Sequence, residues 1–79
     1  MQVTIKLYAT LRKYGPALPS GAGFTLDLPA GSDVAQVVQH LGMPGGVALV
    51  AMVNDEVVHL DRVVVAGDTI SLFPPVAGG

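Results

Sequence analysis

The sequence predicts an α+β fold: one mixed sheet with the element order β-β-α-β-β-β and a single helix on one face. Three observations predict it. Residues 2–8 and 69–73 alternate apolar with polar side chains, the period-2 pattern of half-buried strands. Between them, Val34, Val37, Val38 and Leu41 fall at i, i+3, i+4 and i+7, one apolar stripe of a helix. A chain of 79 residues is one domain. It buries only about 60% of its unfolded surface, so its core must be small and well patterned.

In the first strand Val3, Ile5 and Leu7 share one face and Thr4, Lys6 and Tyr8 the other. Residues 9–14 carry no decisive pattern. Residues 15–23 are a loop, too densely punctuated by Pro and Gly for regular structure. Phe24, Leu26 and Leu28 then alternate with Thr25 and Asp27 as a second strand, which makes the preceding loop a wide hairpin connection. Pro29-Ala30-Gly31 ends that strand, and Ser32 or Asp33 caps the helix. Asp33 with Gln36 three residues on resembles a capping box. Gly42 stops the helix and Pro44 prevents its resumption. A helix of about ten residues is marginal alone and must lay its stripe on a sheet.

Residues 48–53 are a short apolar run, a central strand. Asn54-Asp55 reads as a turn, Glu56 to Leu60 as a short strand or edge segment, and Val63-Val64-Val65 as a further extended piece. Ala66-Gly67-Asp68 turns the chain into the last strand, Thr69 to Phe73. There Ile70 and Leu72 face inward, and Thr69, Ser71 and Phe73 outward. Neither Pro74 nor Pro75 donates an N–H, so pairing ends with them. Setting the first strand beside the last gives the β-grasp arrangement: a folded domain over residues 1–73 and an extended C-terminal arm over 74–79.

Composition narrows the chemistry. Half the residues (51%) are apolar and none is cysteine. Disulfides, thiolate metal sites and cysteine nucleophiles are excluded. So are plant-type iron–sulfur ferredoxins, which need four thiolates. The net charge is −2, and the four basic residues, Lys6, Arg12, Lys13 and Arg62, form no dense cluster, so nucleic acid is not an expected partner. No signal-peptide pattern follows Met1, and no apolar run approaches the roughly 20 residues of a membrane span. The expectation is a soluble cytoplasmic domain.

The arm carries the chemistry. It runs Phe73-Pro74-Pro75-Val76-Ala77-Gly78-Gly79 and leads to a carboxylate. A carboxylate at neutral pH is a poor electrophile. A partner enzyme must convert it to a mixed anhydride, typically an acyl adenylate, in a closed and water-poor site. Glycine has no side chain to clash in a tunnel. Pro74-Pro75 favour an extended path and lower the entropy lost on ordering. Pro74 to Gly79 reach roughly 20 Å at about 3.3 Å each, enough to enter a buried pocket.

Three motifs carry a family resemblance. They are the ending from Gly67 through Phe73-Pro74-Pro75-Val76-Ala77-Gly78-Gly79, the run Leu28-Pro29-Ala30-Gly31-Ser32-Asp33-Val34 entering the helix, and Val53-Asn54-Asp55-Glu56-Val57-Val58 at the central turn. Across its whole length the chain resembles the MoaD/ThiS family of ubiquitin-like sulfur carriers, in particular its molybdopterin synthase small-subunit branch. The ending is the specific motif, and the other two support it.

The resemblance implies that an ATP-using, E1-like adenylyltransferase adenylates Gly79, and that a persulfide sulfur donor then converts it to a thiocarboxylate. It further implies that the arm inserts into a molybdopterin synthase large subunit, in a heterotetramer, to build the dithiolene of the molybdenum or tungsten cofactor. ATP and the persulfide belong to the partners. The chain binds no cofactor or metal and is a co-substrate without catalytic side chains of its own. The same activated carboxyl permits two other uses: conjugation to lysines as a protein modifier, or sulfur delivery for thiamin, amino acids or tRNA. A passive β-grasp interaction domain is the remaining alternative.

The other candidate residues read as structure. His40 lies near the helix end, where a cation complements the dipole. His59 and Asp61 lack a third ligand or a nucleophile. Gly45-Gly46 and Gly21-Ala22-Gly23 do not open a helix after a strand, as phosphate-binding loops do. Asp55-Glu56 reads as a turn. Phe73 is expected outside the helix-covered face at the root of the arm, joined by Tyr8 and extended by Met52 or Val50, as a docking patch. The expected partner-binding set is therefore Phe73, Pro74, Pro75, Val76, Ala77 and Gly78, with Gly79 as the reacting residue.

Overall fold

The alternation read in the first and last strands is the alternation that builds the core. The computed structural model describes residues 1–19, 21–45 and 48–75. Strand β1 (Gln2–Leu7) buries Val3, Ile5 and Leu7, and strand β5 (Thr69–Phe73) buries Ile70 and Leu72. The two lie parallel at the centre of a five-stranded sheet of order β2-β1-β5-β3-β4, with Ile5 opposite Ile70 and Leu7 opposite Leu72. Strand β2 (Phe24–Asp27) pairs antiparallel outside β1. Strand β3 (Val50–Val53) pairs antiparallel with β5, and β4 (Glu56–Val58) closes the other edge. This is the β-grasp arrangement that the element order predicts.

Helix α1 (Val34–His40) covers one face, with Val34 and Val37 fully buried in the same core cluster as Val3, Ile5, Ile70 and Leu72. Of the two candidate caps, Asp33 is the cap. Its Oδ1 accepts from the Gln36 backbone N–H at 2.9 Å, and its own N–H donates to Gln36 Oε1 at 3.0 Å. The neighbouring Ser32 hydroxyl instead donates to the Pro29 carbonyl at 2.6 Å. Two more N–H groups of the first turn are met from outside the helix: Val34 donates to the Arg62 carbonyl and Ala35 to that of Leu60. At the other end Gly42 (φ +79°) donates to Gln39 O and Met43 to Val38 O, a Schellman ending with Met43 buried beneath it. Replacing Asp33 with Ala removes the side-chain arm of the capping box and leaves only the bond from its backbone N–H to Gln36. The expected loss is about 1 kcal/mol in a urea titration with the slope unchanged.

Two segments differ from the sequence reading in detail. Residues Ala9–Tyr14, which carried no decisive pattern, form a 3-10 helix that drops Leu11 into the core. Residues 63–65 do not form a strand. Val63 makes one bridge to Asp33, Val64 is buried, and Val63 and Val65 are more than half exposed. The helix N-terminus occupies the pairing groups of residues 60–64, which leaves no ladder to extend there.

Candidate functional site

The parallel pairing of β1 with β5 brings the ends of both strands to the same edge of the sheet, where the arm begins. Tyr8 follows β1 directly, and its N–H donates to the Leu72 carbonyl at 3.1 Å. Phe73, the last residue of β5, is one position further on. Both side chains lie on the face opposite the helix, and their rings stack with centroids 4.4 Å apart and planes 28° apart. Such a pair is worth about 0.5–1.5 kcal/mol beyond the area it covers, so it forms a stiff platform at the arm's root. Pro74 is partly buried beside it and Pro75 is exposed.

The same face of β3 carries Val50 and Met52. Val50 stands opposite Phe73 in the ladder and is 39% exposed, and Met52 stands opposite Ser71. Both expected extensions of the apolar patch are therefore placed on its face. Met52, Tyr8 and Phe73 border an open concavity of about 370 Å³ whose remaining wall is polar: Lys6, Asn54, Asp55, Thr69 and Ser71. Phe73→Ala is expected to weaken partner binding at least tenfold while costing less than about 1 kcal/mol of stability, because an interface aromatic carries more energy than a partly exposed one. Titration calorimetry beside thermal melting separates the two effects, and an equal loss in both would make Phe73 a core residue.

Of the expected site residues, Phe73, Pro74 and Pro75 are described. Val76, Ala77, Gly78 and Gly79 lie outside the described residues, as does Gly46 of the Gly45-Gly46 pair. Exposed His40 is the last residue of α1, and exposed His59 follows β4. Among the described residues no group of three His, Asp or Glu side chains is placed to hold a metal ion, and no helix is long and apolar enough to cross a membrane. Asp55 sits in the turn, as read. Glu56 starts β4 and pairs with Arg62 at 2.8 Å.

Sequence reasoning passed over Lys6 as a site residue. The available clue was its parity with Tyr8 in β1, which sets both on the outer face. The turn residue Asn54 was also read too modestly. Its side chain ties the β3–β4 turn to the start of β5, as its bonds to Asp68 and Thr69 show.

The β-grasp fold has counterparts in known structures. SAMP1 from Haloferax volcanii, a small archaeal modifier protein, superposes with a TM-score of 0.73 at 23% identity, over 100% of each chain. A putative molybdopterin converting factor subunit 1 from Pyrococcus furiosus gives 0.71 at 22% identity, over 95% of this chain and 98% of that one. In the complex of subunits 1 and 2 of the molybdopterin-converting factor from Helicobacter pylori, the similar chain gives 0.60 at 25% identity, again over 100% of both. No curated protein sequence matches this one. The model of the ThiS family matches residues 5–79, from within β1 through the final Gly-Gly. With that match and the fold it shares, the chain belongs to the ThiS family and so to the ubiquitin-like sulfur carriers of the MoaD/ThiS type.

Proposed function

We propose that the protein carries sulfur as a thiocarboxylate on Gly79 and delivers it for dithiolene synthesis in a molybdopterin-type cofactor. The observation that carries this reading is the family match running through Gly78-Gly79, on a fold whose last strand leads straight into Pro74-Pro75. The chemistry balances as follows. A terminal carboxylate oxygen attacks the α-phosphorus of ATP and pyrophosphate leaves. The outer sulfur of a protein persulfide then attacks the acyl carbon and AMP leaves. Finally a second thiol attacks the inner sulfur, forming a disulfide and releasing the thiocarboxylate. ATP, the persulfide and the thiol are supplied by partner enzymes, the first of them an E1-like adenylyltransferase.

This chain contributes the two-residue tip, the arm over 74–79 that begins with two prolines, and a docking face around Tyr8 and Phe73. The subunit 1 and 2 complex of the Helicobacter pylori converting factor supports a large subunit as the recipient. The name of SAMP1 as a modifier favours one second reading, conjugation of Gly79 to lysines through the same adenylate. Intact-mass and peptide analysis of the protein from its native host decides. Replacement of one oxygen by sulfur at Gly79 is the expected result. Branched Gly-Gly remnants on lysines would establish the modifier reading instead, and an unaltered carboxylate during cofactor synthesis would overturn both.

A further inference from the structure

Lys6 occupies an unusual place for a lysine. It is partly buried in the wall of the open concavity, between Tyr8 and the hydroxyl-bearing Ser71 and Thr69, and Ser71 is its direct partner in the β1–β5 ladder. Gly23 runs beside its stem: a Cβ there would meet the Lys6 Cγ at 3.4 Å and would crowd the Thr4 Cγ2 at 2.7 Å. Among the described residues no carboxylate forms an ion pair with the Lys6 ammonium. Among the described residues the one ion pair is Arg62 with Glu56. Asp68, the nearly buried acid at the start of β5, is held by Asn54 and by the Val65 N–H. Asp55 lines the same concavity but forms no ion pair with Lys6.

The arm leaves from the edge of this same concavity, since Phe73 is both its wall and the arm's root. A subunit that admits the arm as far as Gly79 therefore covers the concavity and removes water from the Lys6 ammonium. An ammonium desolvated without a carboxylate opposes binding strongly, whereas a paired one fixes register and partner choice.

We infer that Lys6 is a specificity-determining residue of the carrier, and that the sulfur-accepting large subunit presents a carboxylate to it beside the apolar contact on Tyr8 and Phe73. The inference rests on the carrier reading and adds to it the charge of the surface that must cover this face. A partner with a neutral or basic residue at that point is rejected by the buried, unpaired charge, whatever its arm tunnel looks like.

The test is calorimetric titration of the full chain into the molybdopterin synthase large subunit of the same host, at low and high salt, with thermal melting of every variant as the folding control. Lys6→Met keeps the stem and removes the charge, and is expected to weaken binding about tenfold to a hundredfold. Lys6→Glu is expected to lose more, and Lys6→Arg to restore most of the affinity. The salt dependence of wild-type binding is expected to flatten in Lys6→Met. Wild-type affinity and salt dependence in a folded Lys6→Met protein would overturn the role of Lys6 and leave the carrier reading standing. Failure of the unaltered chain to bind the large subunit at all would overturn the carrier reading, and this inference with it.

Discussion

Deleting Gly79, or adding one residue after it, is expected to abolish thiocarboxylate formation while the folded domain melts as before. The two halves of this result have separate physical causes. Every core side chain and every sheet pairing among the described residues lies before Pro74: the core ends with Leu72 and the β3–β5 ladder with Phe73. Changes at position 79 therefore fall in the class of substitutions that move stability by no more than about 0.5 kcal/mol. Activation, however, needs a terminal carboxylate oxygen within bonding reach of the α-phosphorus of ATP inside a closed site. One residue more or less moves that oxygen by about 3.3 Å along an extended chain. A displacement of only about 1 Å can cost a hundredfold, so the loss here is expected to exceed that figure.

Proline at 74 and 75 sharpens the effect, because the fixed φ of these two residues lets them absorb none of the extra length. The measurement is single-turnover adenylation of the Gly79-deleted and one-residue-extended chains by the E1-like partner, beside their melting curves. Adenylation of the extended chain without prior trimming would show that the enzyme reads something other than the position of the terminus.

The fold was legible wherever one period dominated a segment. Val3, Ile5 and Leu7 and then Ile70 and Leu72 are buried as their alternation requires, and Val34 and Val37 as the helical stripe requires. Asp33 and Gln36 form the capping box that their spacing suggests. The stacking of Tyr8 on Phe73 follows from parity in two strands together with their parallel pairing, so that part of the site could be read before any coordinates. Segments that owe their shape to the neighbours they meet were not legible. Residues 9–14 bury only Leu11, which gives neither a period of two nor of 3.6. Residues 63–65 look like a strand by composition, but a strand needs a free ladder, and the first turn of α1 uses the groups beside them. Lys6 escaped notice for a related reason. Its partial burial and its lack of a carboxylate partner are facts about β5 and the turn at Asn54, which lie far away in sequence.

Asn54→Ala is expected to be the most damaging change at any residue outside the apolar core, about 2–3 kcal/mol in a domain whose whole stability is of the order of 5–10 kcal/mol. Asn54 and Asp55 form the two-residue turn from β3 to β4, and both have positive φ, +49° and +72°. Asn tolerates that region, whereas Ala pays about 1 kcal/mol to occupy it. The side chain does more than permit the turn. Its Oδ1 accepts from the Thr69 N–H at 2.9 Å, and its Nδ2 donates to Asp68 Oδ1 at 2.8 Å. The other oxygen of Asp68 accepts from the Val65 N–H at 2.9 Å, and the Asp68 carbonyl accepts from Thr4 N–H in β1. One amide thus joins the β3–β4 turn, the start of β5 and, through Asp68, the start of β1. Alanine leaves one oxygen of a nearly buried carboxylate without its partner, which costs more than that bond itself contributed, and it turns the Thr69 N–H over to water.

Asn54→Gly isolates the hydrogen bonds from the backbone, since glycine adopts the turn freely, and should recover about 1 kcal/mol of the loss. A double-mutant cycle with Asp68→Ala then measures the link directly. A coupling above about 1 kcal/mol is expected for residues sharing one network. Additive losses would mean that the bond from Asn54 to Asp68 contributes nothing of its own, and that the turn and the Thr69 N–H account for the whole effect.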